Sequence, residues 1–376
     1  MRRENFGSYL TVNNRGERIR LFIPPKPPVS SDLSFSAEER KTLASALFEL
    51  GKLEGTTNFS EIGEKLWNLN RIREFAASIS LEEFESDVRD YLLDRCEPKP
   101  SGPSDAYQGQ LKSSIQEFER LLSSFQTKPL DRVDYWRMIE RNLTVGNQEA
   151  PSPPRFVGLG GFGPASMPPP KEEVDAGLAG LTDHLFQNRL KLDPIDSVAI
   201  LYGVIWMLNP YGEMTGLVAR SISLAILHRE GLMRNSVINL SSAIRDNEHR
   251  LNESLSLLRN TGDWEAWIAG FAELLMDAAR RTYSFNIEVG RLYFEGRVRA
   301  SSLGRASESI HRIIDIVFDA PVFTSNFLVA KTGLTAATVN KSLQHMVDLG
   351  IVRETTSRKR NRVFQHEELM KLIAGN

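Results

Sequence analysis

A single cysteine, Cys96, in 376 residues leaves no intramolecular disulfide framework and no cysteine-rich zinc site. It fits a reducing compartment, so a cytoplasmic location is expected. No stretch of about 18 consecutive apolar residues occurs, which excludes a membrane-spanning helix. The first 20 residues carry no apolar segment behind Arg2 and Arg3, which argues against a secretory signal. An excess of one charge is missing too. Forty-six basic against 48 acidic residues give a net charge of −2, excluding a globally basic nucleic-acid coat and a polyacid. What is present is ordinary globular material, 41% hydrophobic and 25% charged, long enough for two or three domains of roughly 100–200 residues.

Along the chain, the first 30 residues read as a tail ending in the stiff strip Phe22-Ile23-Pro24-Pro25-Lys26-Pro27-Pro28, expected to lie on a surface as polyproline-like chain. Helical spacing begins near Ala37, with Leu43, Leu47, Leu50 and Leu53 on one face. Further helices are expected over 60–77, 81–94, 111–125 and 133–143, with a loop over 98–109. Residues 151–170, PSPPRFVGLGGFGPASMPPP, are punctuated by glycine and proline and read as a short strand or hairpin. Helices then resume over 172–186, 194–208, 216–229, 237–259 and 264–294, so the fold class is mainly α. Trp264, Trp267 and Phe271 fall at helical spacing and are expected in the core.

The last 70 residues change character. Helices over 307–318, 324–332 and 336–349, with a turn at Gly333, have helix-turn-helix spacing. Two short strands around a polar tip follow, the pattern of a winged helix. Residues 301–376 hold ten basic and seven acidic side chains, so this module is +3 and the remainder −5. Arg358, Lys359, Arg360 and Arg362 crowd the expected wing tip. The second helix of the pair offers Thr335, Thr338, Asn340, Lys341 and Gln344, polar groups suited to base edges or phosphates. Double-stranded DNA is therefore an expected partner, with this helix in the major groove. Winged helices also serve as dimerisation or protein-docking modules, and that alternative stands beside it.

Residues 209–220, NPYGEMTGLVAR, join two apolar helices through a short loop. They resemble the Fic family signature His-Pro-Phe-x-Asp/Glu-Gly-Asn-Gly-Arg-x-x-Arg. Pro210, Glu213, Gly216 and Arg220 match it, and Tyr211 is a conservative replacement. Asn209 stands where the family has histidine, Met214 and Thr215 replace Gly-Asn, and Leu217 replaces the first arginine. The flanks resemble the family as well: Val157–Gly161 and Met167–Val174 its flap and proline run, 262–267 (GDWEAW) its Gly-Asp-Trp-x-x-Trp, and 23–28 (IPPKPP) the N-terminal strip of longer members. Longer members often end in a winged helix. The resemblance thus spans roughly residues 20–376 and implies a Fic-type helical core with a short β-hairpin flap, plus a C-terminal winged helix-turn-helix. It implies a division into an N-terminal helical region at 1–125, a Fic-like core at 126–300 and a winged helix at 301–376.

Fic proteins usually transfer AMP from ATP to a hydroxyl side chain of another protein. The family's histidine is the general base, its acidic residue holds Mg²⁺, its Gly-Asn-Gly amides approach phosphate, and its arginines clamp the β- and γ-phosphates. Here the amide of Asn209 cannot take a proton near neutrality, and losing such a base costs about 10²–10⁴-fold in rate. Glu213 as metal ligand, with Thr215, Gly216 and Arg220 in the nucleotide cradle, imply binding of ATP and Mg²⁺ that is weak or lost. His184 and His228 lie outside the loop at no spacing that makes either a substitute base. A simpler account of Asn209 is that it caps the preceding helix.

Two further features follow from the resemblance. Residues 72–83, IREFAASISLEE, resemble the family's inhibitory helix and place Ser78 and Glu82 at its serine and glutamate, implying a Glu82–Arg220 pair; Glu82 equally suits an exposed acidic face. Leu159, Gly160 and Gly161 fall in the flap that would dock a target protein by strand addition, or form a purely structural hairpin. The implied function is a degenerate Fic protein without AMP transfer that acts as a regulatory or binding protein. The alternatives are a divergent active nucleotidyltransferase and a DNA-binding regulator whose helical body supplies only homodimerisation.

Overall fold

The computed structural model describes residues 7–14, 17–81, 88–96, 169–187, 192–210, 215–356 and 362–375. The expected N-terminal tail is instead an antiparallel pair, β1 (Ser8–Asn14) and β2 (Glu17–Ile23), in register from Ser8 opposite Ile23 to Asn14 opposite Glu17. Leu21 and Phe22 are buried, and so are Pro25 and Pro28 of the strip behind them. The proline strip lies along the surface of the body as expected, with Pro25 and Pro28 turned inward and Lys26 exposed. Its rigidity lowers the entropy lost in ordering it there.

Helix α1 (Ala37–Asn58) starts at a capping box in which Ser36 and Glu39 each accept the other's backbone N–H. Its Ala46, Leu50, Leu53 and Thr57 form one buried stripe. Helices α2 (Gly63–Leu81) and α3 (Val88–Cys96) follow. Of the helix expected over 81–94, Leu81 ends α2, residues 82–87 lie outside the described residues and the rest falls in α3. After these come α4 (Lys171–Gln187), α5 (Pro194–Leu208), α6 (Thr215–Arg229), α7 (Leu240–Asp246) and α8 (Glu248–Thr261). The single helix expected over 237–259 is broken at Asn247, which closes α7 and opens α8.

The helix α9 (Trp264–Ser301) has 38 residues, about 57 Å at 1.5 Å per residue, and runs past the expected end at Phe294. Its start explains the Gly-Asp-Trp run locally. Gly262 ends α8 at φ 68, Asp263 caps α9 by accepting from the Ala266 N–H at 3.0 Å, and Trp264 enters the core. Trp264, Trp267 and Phe271 are 2%, 1% and 0% exposed, the expected core triad. The Trp267 indole donates to the Ala199 carbonyl at 2.7 Å, and a Cβ on Gly203 would sit 3.0 Å from that indole nitrogen. Glycine there is what lets α9 close on α5.

The chain finishes with α10 (Ser307–Val317), β3 (Val322–Thr324), α11 (Ser325–Thr332), α12 (Ala336–Asp348), β4 (Arg353–Glu354), β5 (Val363–Gln365) and α13 (Glu367–Ala374). The three strands form an antiparallel sheet in the order β3-β5-β4. Gly333, at φ 68, ends α11, and Thr335 caps α12.

Two hydrophobic cores result. The first lies around α1, α5, α6, α7 and the first part of α9. The second joins α10–α13 and the sheet to Ile62, Leu66, Leu69 and Ile72 of α2, Leu92 of α3 and the far end of α9. The second core therefore draws on all three expected segments. Polar contacts reinforce it: Lys65 donates to the Asp315 carbonyl at 2.8 Å, and Asn68 to that of Asp319 at 3.0 Å. Arg89 donates to Thr355 Oγ1 at 2.7 Å and Gln365 Oε1 at 3.2 Å, and the Cys96 thiol lies 3.1 Å from the Val322 carbonyl. The lone cysteine thus works as a packed, weakly donating side chain. No helix among the described residues is long and apolar enough to cross a membrane.

Candidate functional site

The loop after α5 is set by two helix ends. Asn209 closes α5 in a left-handed conformation, φ 44 and ψ 54, and its N–H donates to the Ile205 carbonyl at 2.9 Å. Among the described residues it is the only non-glycine with positive φ. Asparagine tolerates that region better than most side chains, so the capping account of Asn209 holds. Its Oδ1 accepts from the Thr215 hydroxyl at 2.7 Å, tying the end of α5 to the start of α6. Glu213 and Met214, between them, lie outside the described residues.

One turn into α6, Arg220 is 1% exposed. Its Nη2 and Nε donate to Ser78 Oγ at 2.8 and 3.3 Å. Ser78 comes from α2, so the helix expected to reach Arg220 does so. Glu82, the residue expected to pair with it, lies outside the described residues, as do Leu159, Gly160 and Gly161.

Sequence reasoning missed Glu74. This carboxylate, one turn before Ser78 on the same face of α2, is 0% exposed. It accepts from the Ser241 hydroxyl at 2.6 Å and the Ser241 N–H at 2.9 Å. Burial pushes its pKa from 4.5 up to about 7; the two Ser241 bonds and the charges of Arg220 and Arg73 pull it back. Arg73 is lowered to about 10, chiefly by burial and then by repulsion from Arg281. The 74/78 spacing was the only signal in the sequence. Ser241 gave none, because only the packing of α7 on α2 brings it there. His184 and His228, both half-buried in helices, have pKa values lowered by burial and approach the backbone of Pro28 and Arg234 respectively.

The C-terminal helix pair presents a second set. Asn340, Lys341 and Gln344 are exposed on α12, opposite the buried Val339, Leu343 and Met346. Thr335 Oγ1 accepts from the Thr338 N–H at 3.2 Å and lies 2.9 Å from the Thr338 hydroxyl, so both threonines serve the cap. Gln344 donates to Asp348 at 2.9 Å. Arg358, Lys359 and Arg360 lie outside the described residues. Arg362 donates to Glu354, which braces the ends of β4 and β5.

A Fic family protein from Desulfovibrio desulfuricans G20 superposes on this architecture with a TM-score of 0.54 at 16% identity, covering 90% of this chain and 98% of that one. The chain has the fold of Fic family proteins. Looser similarity extends to a Fic domain containing signaling protein from Bacteroides thetaiotaomicron VPI-5482, with a TM-score of 0.48 at 18% identity over 66% of this chain and 96% of the other. Fic-1 from C. elegans has a TM-score of 0.47 at 19% identity over 66% of this chain and 72% of that one. No protein-family model and no curated protein matches the sequence. Within this Fic-type fold, Asn209 and Thr215 border the loop between α5 and α6, and Ser78 and Arg220 join α2 to α6.

Proposed function

We propose that this chain is a Fic-fold protein without AMP-transferase activity, and that it acts as a regulatory protein binding double-stranded DNA through a winged helix at residues 307–375. Asn209 carries the first half. An amide stands in the general-base position, and its oxygen is already engaged by Thr215. The described residues fit an ATP-Mg²⁺ complex poorly. Arg220 is enclosed with Nε and Nη2 directed at Ser78, and Leu217 stands where the family has its other phosphate-binding arginine. A divergent transferase would need another proton acceptor. Glu74, with a pKa near neutrality, is enclosed and held on both oxygens by Ser241, so it does not supply one.

The second half draws support from the order helix, strand, two helices and two antiparallel strands, with an exposed polar face on α12. Docking of α12 in the major groove would leave the basic wing tip to contact phosphates. Gel retardation on duplex DNA at graded salt tests this. Reversing the charges of Arg358, Lys359 and Arg360 should abolish retardation at moderate salt and flatten the salt slope by roughly 0.9 per lost phosphate contact. Unchanged binding removes the wing from the interface. Incubation with labelled ATP and Mg²⁺ should label neither the chain nor added proteins. Labelling that is lost in Glu213→Ala or Arg220→Ala would reverse the first half.

A further inference from the structure

Among the described residues, α9 buries one side in both cores and leaves large apolar side chains exposed on the opposite side. Ile287, Phe294 and Val298 are 51%, 47% and 72% exposed. Spacings of seven and four residues put all three on one line, about 16 Å long. Helix α1 lies alongside: Arg280 pairs with Glu49 at 3.0 Å, Lys52 sits 4.1 Å over the Tyr283 ring, and Asn286 donates to Thr57 at 3.2 Å. On the side of α1 away from its buried stripe Phe48 is 70% exposed, and Phe59, just past the end of that helix, is 88% exposed. Four large apolar side chains therefore face outward from two neighbouring helices, with Phe59 at the end of one of them. A row of large exposed apolar side chains is the kind of surface that marks an interaction site.

The charges beside the stripe say what covers it. Along the exposed edge of α9 they run Glu288, Arg291, Glu295, Arg299, alternating acid and base and pairing with one another along the helix, with Glu368 of α13 3.9 Å from Arg291. Read in the opposite direction, the same row has the opposite sign at every place. An antiparallel second copy would set Arg291 against the other copy's Glu295 and Glu288 against its Arg299. A parallel copy in register would set like against like. Self-complementarity under reversal is the requirement of a twofold, isologous interface, and a foreign partner imposes no such condition. The patch alone is smaller than the roughly 800 Å² per partner of a stable interface; the charged edge supplies the rim around it.

We infer that the outward face of α9, with Phe48 of α1 and Phe59 just after it, is a self-association surface that pairs two copies of this chain antiparallel about a twofold axis. Two copies would carry two C-terminal modules related by the same axis.

Sedimentation equilibrium on the full chain tests it. The wild type should be dimeric at about 10 µM. Val298→Glu and Phe294→Glu should each give monomers whose circular dichroism and melting temperature match a folded chain; Val298, the most exposed of the α9 stripe, is the safer of the two. Arg291→Glu should weaken association about tenfold or more. Reversing all four charges together restores complementarity and should restore the dimer. The inference is overturned by a wild type that stays monomeric to about 100 µM, including one in which another part of the chain covers the patch. A dimer that survives Val298→Glu, or a fourfold reversal that associates no better than Arg291→Glu, overturns it equally.

Discussion

Asn209 is the left-handed cap of α5, which is sufficient to account for its backbone geometry, and in the proposed reading it also stands in the family's general-base position. Histidine also tolerates the left-handed region, so Asn209→His should fold. On the proposed reading it should not confer AMP transfer, because Leu217 stands where the Fic signature has an arginine and Arg220 remains bonded to Ser78. A labelled-ATP assay checks this; strong labelling by that single variant would place the defect in the base alone. Glu74 allows a sharper test. A carboxyl whose folded pKa is raised from 4.5 to about 7 binds its proton more tightly when folded. Its contribution to stability is therefore full below about pH 4.5 and is lost as pH rises through about 7. Denaturant unfolding of wild type and Glu74→Gln should give a stability difference that moves against the wild type between about pH 5 and about pH 8. A constant difference would mean that Glu74 does not titrate in the folded chain.

At the level of elements, α5 and α9 depend on a missing side chain. Gly203→Ala would place a methyl 3.0 Å from Trp267 Nε1 and 3.3 Å from Leu258 Cδ2. Overpacking of this kind costs about 1–3 kcal/mol, read as a lower urea midpoint with a changed near-ultraviolet tryptophan signal. Gly180→Ala on α4, where an added Cβ meets nothing within 4 Å, should stabilise by up to about 1 kcal/mol. The helices were legible as periodicity, and their ends less so. The break at Asn247 hides inside a continuous helical pattern, because both α7 and α8 are amphipathic around it. The N-terminal hairpin was missed although Leu10 and Val12 in β1, and Ile19, Leu21 and Ile23 in β2, alternate: each strand is only seven residues long and pairs only with the other.

Across the whole molecule, the two cores answer acid differently. His366 is 5% exposed, caps α13 by accepting from the Leu369 N–H at 3.2 Å, and lies edge-on to Phe318. Burial lowers its pKa from 6.5 to about 4. A histidine held neutral contributes stability that is full above about pH 6.5 and is lost as pH falls through about 4. Amide exchange in α13 should therefore accelerate relative to its neighbours over that window, while Glu74 favours the folded state in the same direction. His366→Asn keeps a capping oxygen and should remove the acceleration; persistence of the effect would place the acid sensitivity elsewhere.

The absences in the sequence already excluded a disulfide scaffold, a membrane-spanning helix and a uniformly basic nucleic-acid binder, because each depends on residue supply alone. Apolar spacing was enough for the helices, and the 209–220 motif with its flanks for the fold. Tertiary structure decided the contacts between residues far apart in the chain. Arg220 meets Ser78 across 142 positions, Ser241 meets Glu74 across 167, and Lys65 of α2 meets Asp315 of the C-terminal module across 250. Periodicity assigns a residue to a face of its own helix. Which other helix meets that face depends on how the apolar stripes close together, and local sequence does not encode that choice.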